Sequence, residues 1–234
     1  MMMKFDKRLE TVILILTVFF VLLSIYTALI YTPEVREEDG WSAPKAQKIF
    51  YFHVPAAWVS FLAFGVVFIM SVLYLKNSLR KWDTIAFASA EIGVVFCTLA
   101  IVTGPIWGKA EWGVYWRWED TKLTITFVLW LIFLAYLLLR GGVESENKAR
   151  LAAVFGIIGF ACVPLSFISS RIWQSMHPNV VATSEGSMSS ETGIGLLVGV
   201  VAFSFLYMFM LRKRIAIQEM ASKIEDLKEK IGGI

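Results

Sequence analysis

The chain has 234 residues, of which 57% are hydrophobic and 15% aromatic, with a formal net charge of +3 and a mean hydropathy of +0.66. Soluble domains use about 45–50% apolar residues, so the composition excludes an ordinary soluble protein of this size, and no nucleic-acid partner is expected. The two cysteines, Cys97 and Cys162, both fall inside apolar runs, which makes them packing residues and not a disulfide or a metal pair.

Basic residues (Lys4, Lys7, Arg8) precede the first apolar run. That run is too long for a signal-peptide core and lacks a small-residue cleavage site, so it reads as a retained first span. Six runs, at 11–31, 49–75, 84–106, 123–139, 151–170 and 193–211, can each cross a hydrocarbon layer, which takes about 20 helical residues. They are too uniformly apolar for the alternation of outer-membrane strands, so helices are expected. The expected fold class is an all-α integral membrane protein, a bundle of six transmembrane helices. A membrane domain is expected over 1–211 and a cytoplasmic tail over 212–234. In the tail, Ile217, Met220, Ile224, Leu227 and Ile231 recur three and four apart. They form a short apolar seam that either docks on a partner surface or continues the sixth span as a solvated helix.

Lysine and arginine set the orientation, because short cytoplasmic segments carry the excess. One side collects the N-terminus, the second and fourth loops and the tail, with fifteen of the 22 basic residues; the other holds Arg36, Lys45, Lys48, Lys109, Arg117, Lys122 and Arg171. Both termini are therefore expected in the cytoplasm, and function is expected on the outer face. The first outer segment, 32–48, contains the acidic run 34–39 and Trp41; the third, 171–191, is polar and rich in Ser and Gly.

The second outer segment, 107–123, reads W-G-K-A-E-W-G-V-Y-W-R-W-E-D-T-K-L and contains four of the nine tryptophans, Trp107, Trp112, Trp116 and Trp118. Aromatic belts occur at every bilayer interface, but belt residues are spread along helix ends. Rings packed this densely among glycines suggest a platform for a large flat apolar ligand.

Both histidines, His53 and His177, fall at outer boundaries. Imidazoles from two separate segments can hold a haem iron from its two faces while aromatic rings cover the macrocycle. With no further histidines and no cysteine pair, a three-ligand zinc or copper site is not supported. The outer cations Lys48, Lys109, Arg117, Lys122 and Arg171 can pair with propionates or anchor helix ends among headgroups. Glu91 is the one carboxyl well inside a run, without a basic partner evident at its depth. It reads as functional, protonated, or hydrogen-bonded between helices.

The segment W-G-V-Y-W-R-W-E-D resembles the W-G-x-x-W-x-W-D signature of the haem-handling proteins of cytochrome c maturation. With H-V-P-A-A after Lys48, T-G-P-I-W-G-K before the signature and W-x-x-M-H ending in His177, the chain is similar to the CcmC family over nearly its whole length. The resemblance implies a haem-binding delivery protein of the cytoplasmic membrane, not an enzyme. Iron-protoporphyrin IX (haem b) would lie between His53 and His177 as axial ligands and on Trp112, Trp116 and Trp118. It also implies the haem chaperone CcmE as acceptor, CcmA and CcmB as an ATP-driven complex, and the small subunit CcmD. The signature expects Asp directly after its last tryptophan, so either Glu119 substitutes or Asp120 takes the role. Lys48 and Lys122 stand where arginine is expected, which keeps the charge but loses the planar fork. Larger relatives carry histidines within their spans; this chain has none there, which favours capture at the outer surface over a transmembrane relay. A membrane electron-transfer subunit with a resident bis-histidine haem is the rival class. A transporter would instead expect broken helices near the midplane.

Overall fold

The computed structural model describes residues 6–34, 42–140, 146–173, 175, 177 and 189–232. The acidic run and Trp41 of the first outer segment, apart from Glu34, and most of the third outer segment lie outside them. The described helices are α1 (Lys7–Tyr26), continued by a π turn (Thr27–Tyr31), then a 3-10 turn (Pro44–Ile49) leading into α2 (Phe50–Asn77). They continue with α3 (Arg80–Trp112), α4 (Thr121–Arg140), α5 (Glu146–Phe160), α6 (Cys162–Ile172) and α7 (Ser190–Gly232). Six spans are long and apolar enough to cross a membrane: Lys7–Tyr31, Pro44–Asn77, Arg80–Trp112, Thr121–Arg140, Asn147–Ile172 and Ser190–Ile231. No strand occurs among the described residues.

Local chemistry sets the helix ends. Asp6 caps α1 by accepting from the Arg8 amide at 2.9 Å, which satisfies one of the open N–H groups of a helix start. α2 and α3 are joined by a tight reversal in which Ser78 adopts a left-handed φ of 53° and the Asn77 side chain accepts from the Leu79 amide at 3.2 Å. α3 stops at Gly113, whose φ of 74° suits a residue with no Cβ.

Four prolines bear on the spans. Pro164 has no N–H to give the Phe160 carbonyl and its ring crowds that oxygen, so the fifth span breaks at Ala161 into α5 and α6. Pro55 is interior to α2. Pro44 opens the preceding 3-10 turn, as a proline does well at a helix start. At the Pro55 irregularity α7 comes close: a Cβ at Gly199 would lie 3.0 Å from Pro55 Cγ and 3.2 Å from the Tyr51 carbonyl oxygen. Close approach through small residues is how helices associate when lipid supplies no hydrophobic drive. Pro105, in α3, belongs to the site.

The core lies between α2, α3, α4 and α5, around Phe64, Cys97, Leu129, Phe133 and Ala152, all 0% exposed. Phe64 and Phe133 stack at 3.8 Å. A second cluster joins α2, α3 and α7 through Val59, Ala63, Phe96 and Tyr207, where Ser89 bonds both the Ala63 carbonyl and the Tyr207 hydroxyl at 2.8 Å.

At the end of the bundle away from the tryptophan segment, ion pairs among the described residues tie helices together, including Arg140–Asp83 at 2.7 Å, Lys213–Glu10 at 2.9 Å and Arg214–Glu91 at 2.6 Å. The last corrects the sequence reading of Glu91, which has a basic partner after all. Arg214 Nε faces one carboxylate oxygen and Nη2 donates to the other at 2.8 Å. The partner comes from α7 because that helix runs on unbroken past the sixth span, so residues 212–232 continue it and do not form a separate helix. Arg80 and Ser222 hydrogen-bond, which holds part of the extension beside the start of α3.

Candidate functional site

At the opposite end, α2, α3, α4, α6 and α7 enclose a cavity of about 330 Å³. Its wall is built from aromatic and aliphatic side chains, including Phe50, Trp58, Phe61, Trp107, Trp116, Phe167, Leu196 and Val200. Among them stand four groups that bring charge or a nitrogen lone pair: His53, Lys122, Arg171 and His177. An apolar concavity with a few convergent polar groups is the general form of a small-molecule site.

His53 is carried on the first turns of α2. Its Nδ1 lies 3.0 Å from Thr103 Oγ1, and the Thr103 hydroxyl gives its own proton to the Leu99 carbonyl at 2.7 Å. The hydroxyl must then accept from the ring, so Nδ1 carries the hydrogen and the Nε2 lone pair is left for a ligand. The ring reaches this position because residue 104 is glycine. A Cβ there would stand 3.1 Å from His53 Cε1.

His177 follows α6 and is held by a short polar relay. The Ser175 hydroxyl donates to Asp120 Oδ2 at 2.9 Å and accepts from the His177 amide at 3.1 Å. Asp120 Oδ1 accepts from the Leu123 amide at 3.1 Å, and so caps α4. The same oxygen is 3.8 Å from His177 Nδ1, beyond hydrogen-bond range, and that buried nitrogen has no hydrogen-bond partner among the described residues. One carboxylate thus joins the start of α4 to the segment carrying His177. Asp120 is 4% exposed, whereas Glu119 points to the outside.

Rings connect the two histidines. His53 and Trp107 centroids are 6.4 Å apart, Trp107 and Trp112 are 5.1 Å apart, and Trp112 and His177 are 5.6 Å apart. The structure therefore brings His53, His177, Trp116 and Lys122 to one cavity, with Trp112 packed behind His177. Glu119, exposed as noted, and two further predicted residues are placed elsewhere. Trp118 is 63% exposed and packs on the outer side of Trp116 and on Phe127. The Lys48 ammonium donates to the Thr32 carbonyl at 2.9 Å, tying the α2 entry to the end of the first span. Trp58, Phe61 and Phe167 line the cavity without a signal in the sequence, since a uniformly apolar helix does not reveal which face is inward. Ser175 was also unforeseen.

The donor set bears on what the site can hold. Among the described residues no three His, Cys, Asp or Glu side chains gather into a metal-ligating group. A metal that arrives with its own equatorial nitrogens needs only axial donors, and two imidazoles on an aromatic cavity fit that need. The buried, unpartnered His177 Nδ1 and Trp116 Nε1 are the kind of polar atoms a bound group would satisfy.

The sequence model of the family described as "Heme exporter protein C", CcmC, matches residues 1–229. Among curated proteins, the "Heme exporter protein C" of Bradyrhizobium diazoefficiens is 34% identical over 172 residues, covering 72% of this chain and 65% of that protein. The chain thus spans just under two thirds of that relative's length. The protein of the same description from Rhodobacter capsulatus is 27% identical over 236 residues, 97% of this chain and 93% of that protein. That of Haemophilus influenzae is 29% identical over 70% of this chain and 67% of its own length. A whole-chain family match and six membrane-spanning helices agree with the signature tryptophans and the paired histidines: this chain belongs to the CcmC, heme exporter protein C, family.

Proposed function

We propose that the protein binds haem on the outer face of the cytoplasmic membrane and hands it to the haem chaperone CcmE during cytochrome c maturation. The observation that carries this reading is the meeting of two imidazoles, from α2 and from the segment after α6, on one aromatic cavity with Lys122 and Arg171 at its edge. The likeness to proteins described as heme exporter protein C supports haem handling. The basic residues gathered at the end of the bundle away from the cavity support an outward-facing site.

Bound haem would supply an iron that takes two axial nitrogens. The protein's part is recognition. His53 Nε2, oriented by Thr103, and His177, oriented through Ser175 and Asp120, serve as the ligands. Trp107, Trp112 and Trp116 keep water from the macrocycle, and Lys122 and Arg171 face the propionates. CcmA, CcmB and CcmD are the partners of this reading, with CcmA and CcmB supplying the ATP-driven work. Delivery, not electron transfer, is favoured because His177 lies beyond the end of α6 and not within a packed helix.

The test is haem titration of the purified chain with His53→Ala and His177→Ala. Each substitution is expected to lower haem retention strongly, with partial recovery of the low-spin spectrum on adding imidazole. Two single variants with wild-type spectra and affinity would refute the ligation.

A further inference from the structure

The cavity has two unlike sides. Lys122, Arg171 and His177, at or beyond the outer helix ends, give one a polar rim, while Trp58, Phe61 and Phe167, one or more turns deeper in α2 and α6, make the other apolar. Trp58 also belongs to a stripe on α2 with Leu62, Ile69 and Val72, which are 44%, 37%, 52% and 43% exposed. Their spacing puts them on one helix face, and an exposed apolar face on a membrane-spanning helix faces hydrocarbon. A side chain that lines the cavity and belongs to the lipid-facing stripe marks a place where the cavity meets the bilayer.

The surroundings agree. Phe167, 41% exposed, lies with its ring 5.1 Å from that of Phe61. α6 packs on α4, while α7 packs on α1 and α2, so Phe167 and Val200 frame this side from helices anchored to different partners. Trp58 is five residues from His53, about 7.5 Å along the helix toward the membrane interior. This side is therefore below the level of the ligand nitrogens and away from the cations.

We propose that this side is a lateral portal through which a planar, apolar dicarboxylate loads directly from the bilayer, with its carboxylates kept at the Lys122 and Arg171 rim. The inference rests on the haem reading above and adds the route. A flat macrocycle dissolved among acyl chains slides edgewise past Trp58 and Phe167. Its apolar plane stays out of water throughout, and its charged edge remains at the interface, where Lys122 and Arg171 receive it.

The test uses the full chain in phosphatidylcholine vesicles with zinc protoporphyrin IX as a fluorescent probe. Nitroxides attached to the acyl chains report lipid contact, and aqueous iodide reports water contact. Bound porphyrin is expected to lose most of its emission to the acyl-chain nitroxides and little to iodide. Val200→Trp, which fills the frame, is expected to slow loading from porphyrin-containing vesicles severalfold and to reduce the nitroxide effect. Porphyrin that binds with wild-type affinity but is quenched by iodide alone would overturn the portal and leave the haem reading standing. Porphyrin that does not bind at all would overturn both. The quenching measurement on the unsubstituted chain decides the matter even if the variant is poorly folded.

Discussion

Replacing Asp120 by Ala separates two functions of one carboxylate. Oδ1 caps α4 through the Leu123 amide and Oδ2 receives the Ser175 hydroxyl, which in turn accepts from the His177 amide. Loss of the cap costs about 1 kcal/mol of stability, and it weighs equally on the free and the haem-bound chain. Loss of the charged hydrogen bond to Ser175, at about 1.5–3 kcal/mol, releases the segment carrying His177 and must be made good on binding. Haem affinity is therefore expected to fall by roughly ten- to a hundredfold, since about 1.4 kcal/mol is tenfold. Asp120→Asn keeps one acceptor oxygen for the cap and is expected to fall between. Glu119→Ala, at an exposed position, is expected to leave both properties near wild type. The assay is haem titration normalised to folded protein, beside thermal unfolding of the haem-free chain. If Glu119→Ala weakens haem binding as much as Asp120→Ala, the assignment of the signature carboxylate to Asp120 is refuted.

Further expectations follow from the same geometry. Trp116 lines the cavity, so Trp116→Ala removes apolar cover worth about 1–3 kcal/mol and lowers haem affinity accordingly. Trp118→Ala, at a side chain 63% exposed, changes affinity far less, and equal losses would argue against the cavity as the haem site. Arg214→Ala leaves Glu91 without its ion partner. Because the two side chains are 30% and 29% exposed, the expected loss is about 1–2 kcal/mol, below the 3–5 of a fully buried pair, and it reads out as a lower midpoint in detergent melting. Adding Glu91→Gln to Arg214→Ala is expected to restore part of that loss; a double variant less stable than the single would contradict the pairing.

The six spans were legible because lipid gives an unpaired backbone no partner, and that demand leaves a direct mark as long apolar runs. The two histidines were legible through topology, which put His53 and His177 at the same end. What depends on rotation about a helix axis was not. Lys48 and Lys122 both stand at span boundaries, yet one turns to the Thr32 carbonyl and the other into the cavity. Trp116 and Trp118 are two residues apart in a segment without helical or strand period, so no spacing rule told which ring faces in. Glu91 lacked a visible partner because Arg214 is 123 positions away and belongs to a helix that the composition divided at residue 211. The Pro164 break had a signal in the proline itself, but the apolar run across it was continuous and concealed it.

The unbroken length of α7 has a mechanical consequence. Leu196 and Val200, near its start, form part of the cavity wall. Lys213 and Arg214 pin its middle to Glu10 and Glu91, and Ile224, Leu227 and Ile231 stand exposed beyond. From Arg214 the helix extends about 21 Å back to Val200 and about 26 Å on to Ile231 at 1.5 Å per residue. It is a stiff beam resting on a charged fulcrum, with arms of similar length. A load on the exposed tail would be carried along this helix toward the cavity wall, through its packing on α1, α2 and α3. Force applied at the tail end of the bundle would thus reach the cavity end through one continuous helix.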